Sequence, residues 1–215
     1  MQATAPQFWN RIAHRYAARP VPNPDAYEAT LAHVRAYLTR RDHVLELGCG
    51  TGSTAIALAD DVQSYLATDY APLMIDIARE KTWNSGLGHL TFQVAEPGSA
   101  LLTGRSFDVV TAFNLLHLIP DTDAALRDAF RLVRPGGHFI TKTPCLGGLG
   151  LRTAAFRGMI GAMRVFGFAP HVRLLSDGEL IRRMRQAGFE IVETARYPAG
   201  GTGRFVVARR PEMVA

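Results

Sequence analysis

From residue 43 onward, short apolar runs alternate with stretches of helical periodicity. VLEL (44–47) precedes TAIALA, YLATD (65–69) precedes PLMIDIARE, and LTFQV follows at 90–94. FDVVTAF (107–113) then precedes AALRDAFRLV, and GHFITKT follows. Compact apolar runs of this kind predict strands, and apolar residues recurring every three to four positions predict amphipathic helices. Their alternation builds βαβ units, so the pattern predicts a doubly wound, Rossmann-like α/β fold with helices on both faces of a mostly parallel sheet.

The flanking regions differ. Phe8, Trp9, Ile12, Ala13 and Tyr16 recur at helical spacing, Pro20-Val21-Pro22-Asn23-Pro24 breaks the run, and a second amphipathic stretch reaches about Tyr37. Residues 1–40 therefore read as a helical cap over the active site, and 41–215 as the main domain. Arg134-Pro135-Gly136-Gly137 reads as the stop of one helix before a strand at 138–143. Residues 146–170 mix glycines, large apolar side chains and three arginines, which predicts a helical insertion. Ser176 followed by Glu179 has capping-box spacing and starts another helix. Gly200-Gly201-Thr202-Gly203 then joins two closing strands as an antiparallel hairpin, bringing the sheet to seven strands with an antiparallel edge strand.

Candidate chemistry concentrates at Glu46-Leu47-Gly48-Cys49-Gly50-Thr51-Gly52, where an apolar strand opens into alternate glycines and then a helix. Glycine is needed where a chain turns sharply and a ligand must lie against bare backbone, and three alternate glycines here serve no evident packing need. A dinucleotide fingerprint would want its third glycine or alanine at position 53, which is Ser53. Glu46 would repel a pyrophosphate and attract a cationic amino group.

This E-x-G-x-G-x-G run resembles the first motif of the class I S-adenosylmethionine-dependent methyltransferases of small-molecule type, and the resemblance spans roughly 43–145. It implies S-adenosylmethionine as cofactor and S-adenosylhomocysteine as product. Glu46, Gly48, Cys49, Gly50 and Gly52 would form the cofactor turn. Asp69, ending the second strand, matches the ribose-binding carboxylate; Tyr70 and Met74 match positions flanking the adenine. Glu96 matches the acidic residue that meets the adenine amine, where the family often has Asp, and Pro97 follows it. Phe113 and Asn114 would lie under the methionyl group, with His117 at the acceptor mouth. His117 is the expected general base, and Tyr16, with Trp9, an aromatic wall from the cap; His14 is a lesser candidate. Asp108, at the far end of its strand, reads as structural.

Methyl transfer displaces a neutral leaving group, so it asks mainly for alignment, with a base where the nucleophile must lose a proton. Asn114-Leu115-Leu116-His117 lacks the prolines of amino-methylating DNA enzymes, Pro144-Cys145 stands one strand late for a cytosine-type nucleophile, and Asn114 replaces the metal-binding carboxylate of catechol-type enzymes. No metal is implied. Composition narrows the picture further: 47% hydrophobic and 20% charged residues describe a globular chain. The net charge of +5 comes from scattered arginines, and its densest group (Arg182, Arg183, Arg185) reads as a solvated helix face. No apolar run is long enough to span a bilayer, MQATAPQFWN lacks the plan of a secretory leader, and two unpaired cysteines fit a reduced cytoplasmic setting. The favoured expectation is a methyltransferase for a small apolar or aromatic acceptor, with 146–170 either an apolar lid or a segment resting on a membrane surface. An RNA- or protein-directed methyltransferase and a cofactor-binding regulatory protein remain alternatives; nucleic acid has only the basic charge in its favour.

Overall fold

The structure is a computed structural model and describes residues 5–147 and 171–212. Two helices come first, α1 (Ala5–Ala17) and α2 (Pro24–Arg35). Then follow β1 (His43–Leu47), α3 (Ser53–Leu58), β2 (Ser64–Asp69), α4 (Pro72–Thr82), β3 (Leu90–Val94) and β4 (Phe107–Phe113). The described chain closes with α5 (Thr122–Leu132), β5 (Val133–Pro144), α6 (Asp177–Gln186), β6 (Glu190–Arg196) and β7 (Gly203–Arg209).

The strands form one seven-stranded sheet in the order β3-β2-β1-β4-β5-β7-β6. β1 to β5 pair in parallel, and β7 runs antiparallel to both β5 and β6. The antiparallel strand is thus one place in from the edge, with β6 outside it. Alternate strand residues serve opposite faces. Leu45, Leu47, Val110 and Ala112 pack with Leu126, Ala129 and Leu132 of α5 and with Leu180 and Met184 of α6. Val44, Ala67, Val109 and Ile140 pack with α2, α3 and α4 through Leu31, Val34, Ala55, Leu58, Ile75 and Ala78.

Asn23 and Pro24, read from sequence as part of a break, also start α2: the Asn23 side chain accepts the Ala26 N–H at 3.0 Å, and proline occupies the first turn. Helix α5 stops at Leu132, but Pro135-Gly136-Gly137 is a bulge inside β5 rather than a loop before it. Val133 already pairs with Phe107, and the register shifts before His138 pairs with Val109. A Cβ on Gly137 would stand 2.6 Å from the Asp108 carbonyl oxygen, so the bulge requires glycine there. Asp108 is structural as expected, accepting from the His43 N–H and the Arg134 guanidinium.

Ser176 caps α6 through the Glu179 N–H at 3.2 Å. Glu179 turns its carboxylate to Arg183 instead, which also pairs with Asp123 on α5. Arg183 is therefore an inter-helix tie and not part of a solvated face. The expected insertion at 146–170 lies almost wholly outside the described residues. Among the described residues no helix is long and apolar enough to cross a membrane, and no cluster of His, Cys, Asp and Glu could hold a metal ion.

Candidate active site

In the strand order, β1 connects to β2 on one side and borders β4 on the other, which makes the carboxyl ends of β1 and β4 the switch point where a doubly wound sheet receives ligands. A cavity of about 530 Å³ opens there. Its floor comes from Glu46 and the glycine turn, and its sides from Asp69, Tyr70, Met74, Glu96, Pro97, Phe113 and Asn114. The cap side supplies Trp9, Tyr16, Arg19, Val21 and Tyr27, and the segment after β4 supplies Leu118, Ile119 and Pro120.

The three glycines divide their work. Gly48 and Gly52 both have positive φ and both face protein: a Cβ would meet the Leu115 side chain at 2.6 Å on the first, and Phe92 at 2.8 Å and Ala78 at 2.9 Å on the second. These two serve packing after all, contrary to the sequence expectation, and Gly52 does not reach the cavity wall. Gly50 differs. Its φ is +54°, and a Cβ there would touch only Tyr16, at 3.8 Å, so its bare backbone forms the open cradle.

Two carboxylates flank this cradle. Asp69 accepts from the N–H of Gly50 at 3.0 Å and of Ala71 at 2.9 Å, one on each oxygen. The Tyr70 N–H also lies close enough to bond this carboxylate, and since each carboxylate oxygen has two acceptor positions, these three donors leave room for a ligand hydroxyl. Burial raises the Asp69 pKa, while those N–H groups pull it back. Glu46 is buried and accepts the Tyr65 hydroxyl at 3.0 Å on Oε2, and the described residues give Oε1 no hydrogen bond. Burial raises its pKa to about 7, against the pull of Tyr65 and with the help of Asp69. A buried acid with one unengaged oxygen on a cavity wall suits a cationic ligand group.

The cap helix closes one side. α1 packs on α4 through Ala13, Ala71, Met74 and Ile77. Asn10 on α1 accepts the Leu73 N–H at 3.0 Å, satisfying a first-turn donor that Ala71 at the α4 N-cap position cannot. Tyr16 meets Trp9 edge to face, and Trp9 hydrogen-bonds Tyr70, whose phenol burial pushes up to about 12. Burial and the two neighbouring acids raise the Tyr16 pKa as well. Both phenols stay protonated at neutral pH. Asn114 holds a left-handed conformation, φ 53°, with its N–H on the Lys142 carbonyl. Such strain in a non-glycine residue clusters at ligand sites.

Of the residues the sequence nominated for the cofactor, all but Gly52 line the cavity. His117 does not. It sits in the one-turn helix Leu116–Leu118, where burial drops its pKa to about 4 and leaves Nδ1 without a partner among the described residues. The turn presents Leu118 to the wall in its place. Cys145 is buried and does not line the cavity, and burial and Asp177 raise its thiol pKa to about 12. Sequence reasoning missed Arg19, Tyr27 and Thr54 on the wall, with the Tyr27 hydroxyl 3.3 Å from Thr54 Oγ1. It also missed Lys81, whose Nζ donates to the carbonyl and hydroxyl of Thr51, both at 2.9 Å, and ties the glycine turn to α4.

A family profile described as a methyltransferase domain matches residues 3–194. The chain belongs to this family. Among methyltransferase relatives, the ubiquinone biosynthesis O-methyltransferase of Paracidovorax citrulli is 27% identical over 158 residues, 70% of this chain and 64% of its own length. The chain thus matches less than two-thirds of that relative. Among solved structures, DhpI in complex with SAH superposes with a TM-score of 0.74 and 21% identity, covering 96% of this chain and 95% of DhpI. The [4+2]-cyclase SpnF superposes with a TM-score of 0.80 at 16% identity over 98% of both chains. These likenesses show the fold of the methyltransferase family, and the cyclase among them means that fold alone does not decide the reaction.

Proposed function

We propose that this chain is an S-adenosylmethionine-dependent methyltransferase whose acceptor is a small aromatic or apolar molecule. The observation that carries this reading is the Gly50 cradle, open to the cavity and flanked by Asp69 and Glu46. When bound, S-adenosylmethionine supplies an electrophilic methyl on a sulfonium, whose departure leaves a neutral thioether. Asp69 would receive a ribose hydroxyl on its remaining lone pair, Glu46 Oε1 the methionyl ammonium, and Glu96 the adenine amine. Met74 and Tyr70 would flank the base, and Phe113 and Asn114 would support the methionyl chain. The fit is chemical: a zwitterionic nucleoside meets acids at its cationic and hydroxyl ends and bare backbone between.

The acceptor would enter between the cap and the segment after β4, against Tyr16, Val21, Tyr27, Leu118, Ile119 and Pro120. A cavity of about 530 Å³ falls within the range of small-molecule sites. Tyr16 keeps its proton, so it orients the acceptor and donates a hydrogen bond. His117, the base expected from sequence, stands off the wall, and no other imidazole lines the cavity among the described residues. Alignment then dominates catalysis, with an acceptor that ionises readily or carries no proton on its nucleophile. Residues 1–40 act in this reading as the cap of the site.

Calorimetric titration of S-adenosylhomocysteine against NAD tests the cofactor: adenosylhomocysteine should bind and NAD should not. Turnover of S-adenosylmethionine against phenols, quinols, amines, thiols and bulk tRNA tests the acceptor. Methylation of tRNA alone would replace the small-molecule reading with the nucleic-acid one. Binding without turnover across the panel would favour a regulatory cofactor-binding protein. His117→Ala should leave turnover within about threefold, and a much larger loss in kcat would restore it as the base.

A further inference from the structure

Tyr65 stands where a core strand ordinarily takes an apolar residue. It lies on β2, an interior strand of the sheet, and is 1% exposed. Interior parallel strands are covered on both faces, and a buried hydroxyl costs free energy unless it is hydrogen-bonded. The partner of this phenol is a carboxylate on the cavity wall: it donates to Glu46 Oε2 at 3.0 Å. The strand register makes the contact. Val44 pairs with Tyr65 and Glu46 with Ala67, so these side chains share one face of the sheet, and the small Ala67 leaves the ring room to lean toward Glu46. Thr111 on β4 pairs with Glu46 from the other side, its buried Oγ1 near the phenol without completing a hydrogen bond.

This bond does two things to Glu46. It ties Oε2 to β2, which leaves Oε1 as the oxygen for a ligand. A phenol also bonds a carboxylate more strongly than it bonds a neutral carboxyl, so it favours the charged form. The other surroundings of Glu46 oppose that form. Burial and Asp69, at the end of β2, both disfavour it. Tyr16 of α1, Tyr27 of α2 and Cys49 of the glycine turn sense its charge, and none of them is a cation. Tyr65 itself stays protonated, since burial and Glu46 push its pKa well above the ordinary phenol value. We propose that Tyr65 is a positioning residue for the cofactor's ammonium, acting through Glu46: its hydroxyl holds Oε2 back and keeps an ionised carboxylate with Oε1 free for the ligand. This assignment rests on the methyltransferase reading above and falls on a residue that does not itself line the cavity.

The test is calorimetry on the whole chain between pH 6 and 8.5 with S-adenosylhomocysteine and 5′-methylthioadenosine, which share the adenosine and thioether and differ in the aminocarboxylate. Tyr65→Phe should move the midpoint of the adenosylhomocysteine profile upward by about one pH unit, the effect of losing one hydrogen bond to a charged group. Affinity should then fall about fivefold at pH 7 and stay within about twofold of wild type at pH 8.5, with methylthioadenosine unchanged throughout. Tyr65→Met drops the same hydroxyl from a chain that adapts to its surroundings, and should shift the midpoint likewise. In Glu46→Gln, where no carboxylate titrates, adding Tyr65→Phe should leave the profile flat. An unmoved midpoint in a folded variant, an equal loss for both nucleosides at every pH, or failure of both variants to fold would make Tyr65 a core residue only and overturn the assignment. A flat wild-type profile would overturn it too, together with the role of Glu46, while leaving the cofactor bound. A wild type that binds neither nucleoside fails at the earlier step and sinks the cofactor reading itself.

Discussion

Replacing Gly50 and Gly52 by alanine, one at a time, separates the glycine that faces the ligand from the glycine that faces the core. Both hold positive φ, +54° and +79°. A left-handed L-residue costs roughly 1–2 kcal/mol, and the stiffer unfolded chain of an alanine variant returns about 0.4–1 kcal/mol of that. For Gly50→Ala little else is added, because its Cβ meets only Tyr16 at ordinary contact distance, 3.8 Å. The net loss is about 1 kcal/mol, a fall in Tm of about 2–4 °C for a chain of this size. In Gly52→Ala the new methyl would stand 2.8 Å from the Phe92 ring and 2.9 Å from Ala78 Cβ. Phe92 is a core ring and the Ala78 methyl is fixed to helix α4, so neither can retreat without shifting its element. Overpacking adds about 1–3 kcal/mol, for a Tm fall on the order of 10 °C. Affinity should reverse the order. The Gly50→Ala methyl projects into the cavity and should cost at least tenfold in S-adenosylhomocysteine affinity, about 1.4 kcal/mol, while Gly52→Ala, once folded, keeps near-native affinity. Thermal unfolding and calorimetry on the two variants decide the matter. If Gly50→Ala binds normally, the bare backbone at residue 50 is not the ligand surface.

Three further outcomes follow from the same site. Glu46 keeps its proton to about pH 7 in the folded protein, against 4.5 ordinarily. The unfolded chain gives that proton up first, so this group lowers stability as pH rises from about 4.5 to 7, by a total on the order of 3 kcal/mol; urea unfolding of Glu46→Gln should lack that slope. A cationic ligand needs the ionised form, so S-adenosylhomocysteine should bind about tenfold more tightly at pH 8 than at pH 6, and a flat profile would remove Glu46 as the ammonium partner. Asp69→Ala should weaken S-adenosylhomocysteine and methylthioadenosine alike, by roughly 1–3 kcal/mol, and unchanged titrations would mean that it does not hold the ribose. Lys81→Met frees the Thr51 carbonyl and should raise the S-adenosylhomocysteine Kd several-fold with a Tm loss of a few degrees; an unchanged Kd would show that the turn keeps its shape unaided.

The sheet was legible because its signals are local. Apolar runs, glycine after a strand and an acid at a strand end sit within a few residues of one another; they located every described strand, and eleven of the twelve residues they nominated line one cavity. What stayed hidden depends on distant partners. Pro135-Gly136-Gly137 carries the local chemistry of a loop, and only its pairing against Phe107 to Val109 makes it a bulge. Arg19 and Tyr27 flank a segment that reads as a mere break; Arg19 reaches the cavity because α1 docks on α4, and Tyr27 because α2 packs on α3. Lys81 resembles any exposed helix lysine until α4 lies beside the glycine turn. His117 failed for the same reason: spacing after a strand locates a residue along the chain, while the one-turn helix decides which side chain faces inward.

The place of β7 has a consequence for synthesis. This strand is late in the chain yet interior to the sheet, wedged between β5 and β6, with Phe205, Val206, Val207 and Ala208 wholly buried. While a ribosome is still making residues 203–209, the nascent protein carries β5 as a raw edge with no cover, an invitation to pair with a neighbouring chain. A stop codon just ahead of that stretch would therefore strip out the slat that joins β6 to the rest rather than trim an end, and the shortened product should accumulate as aggregate.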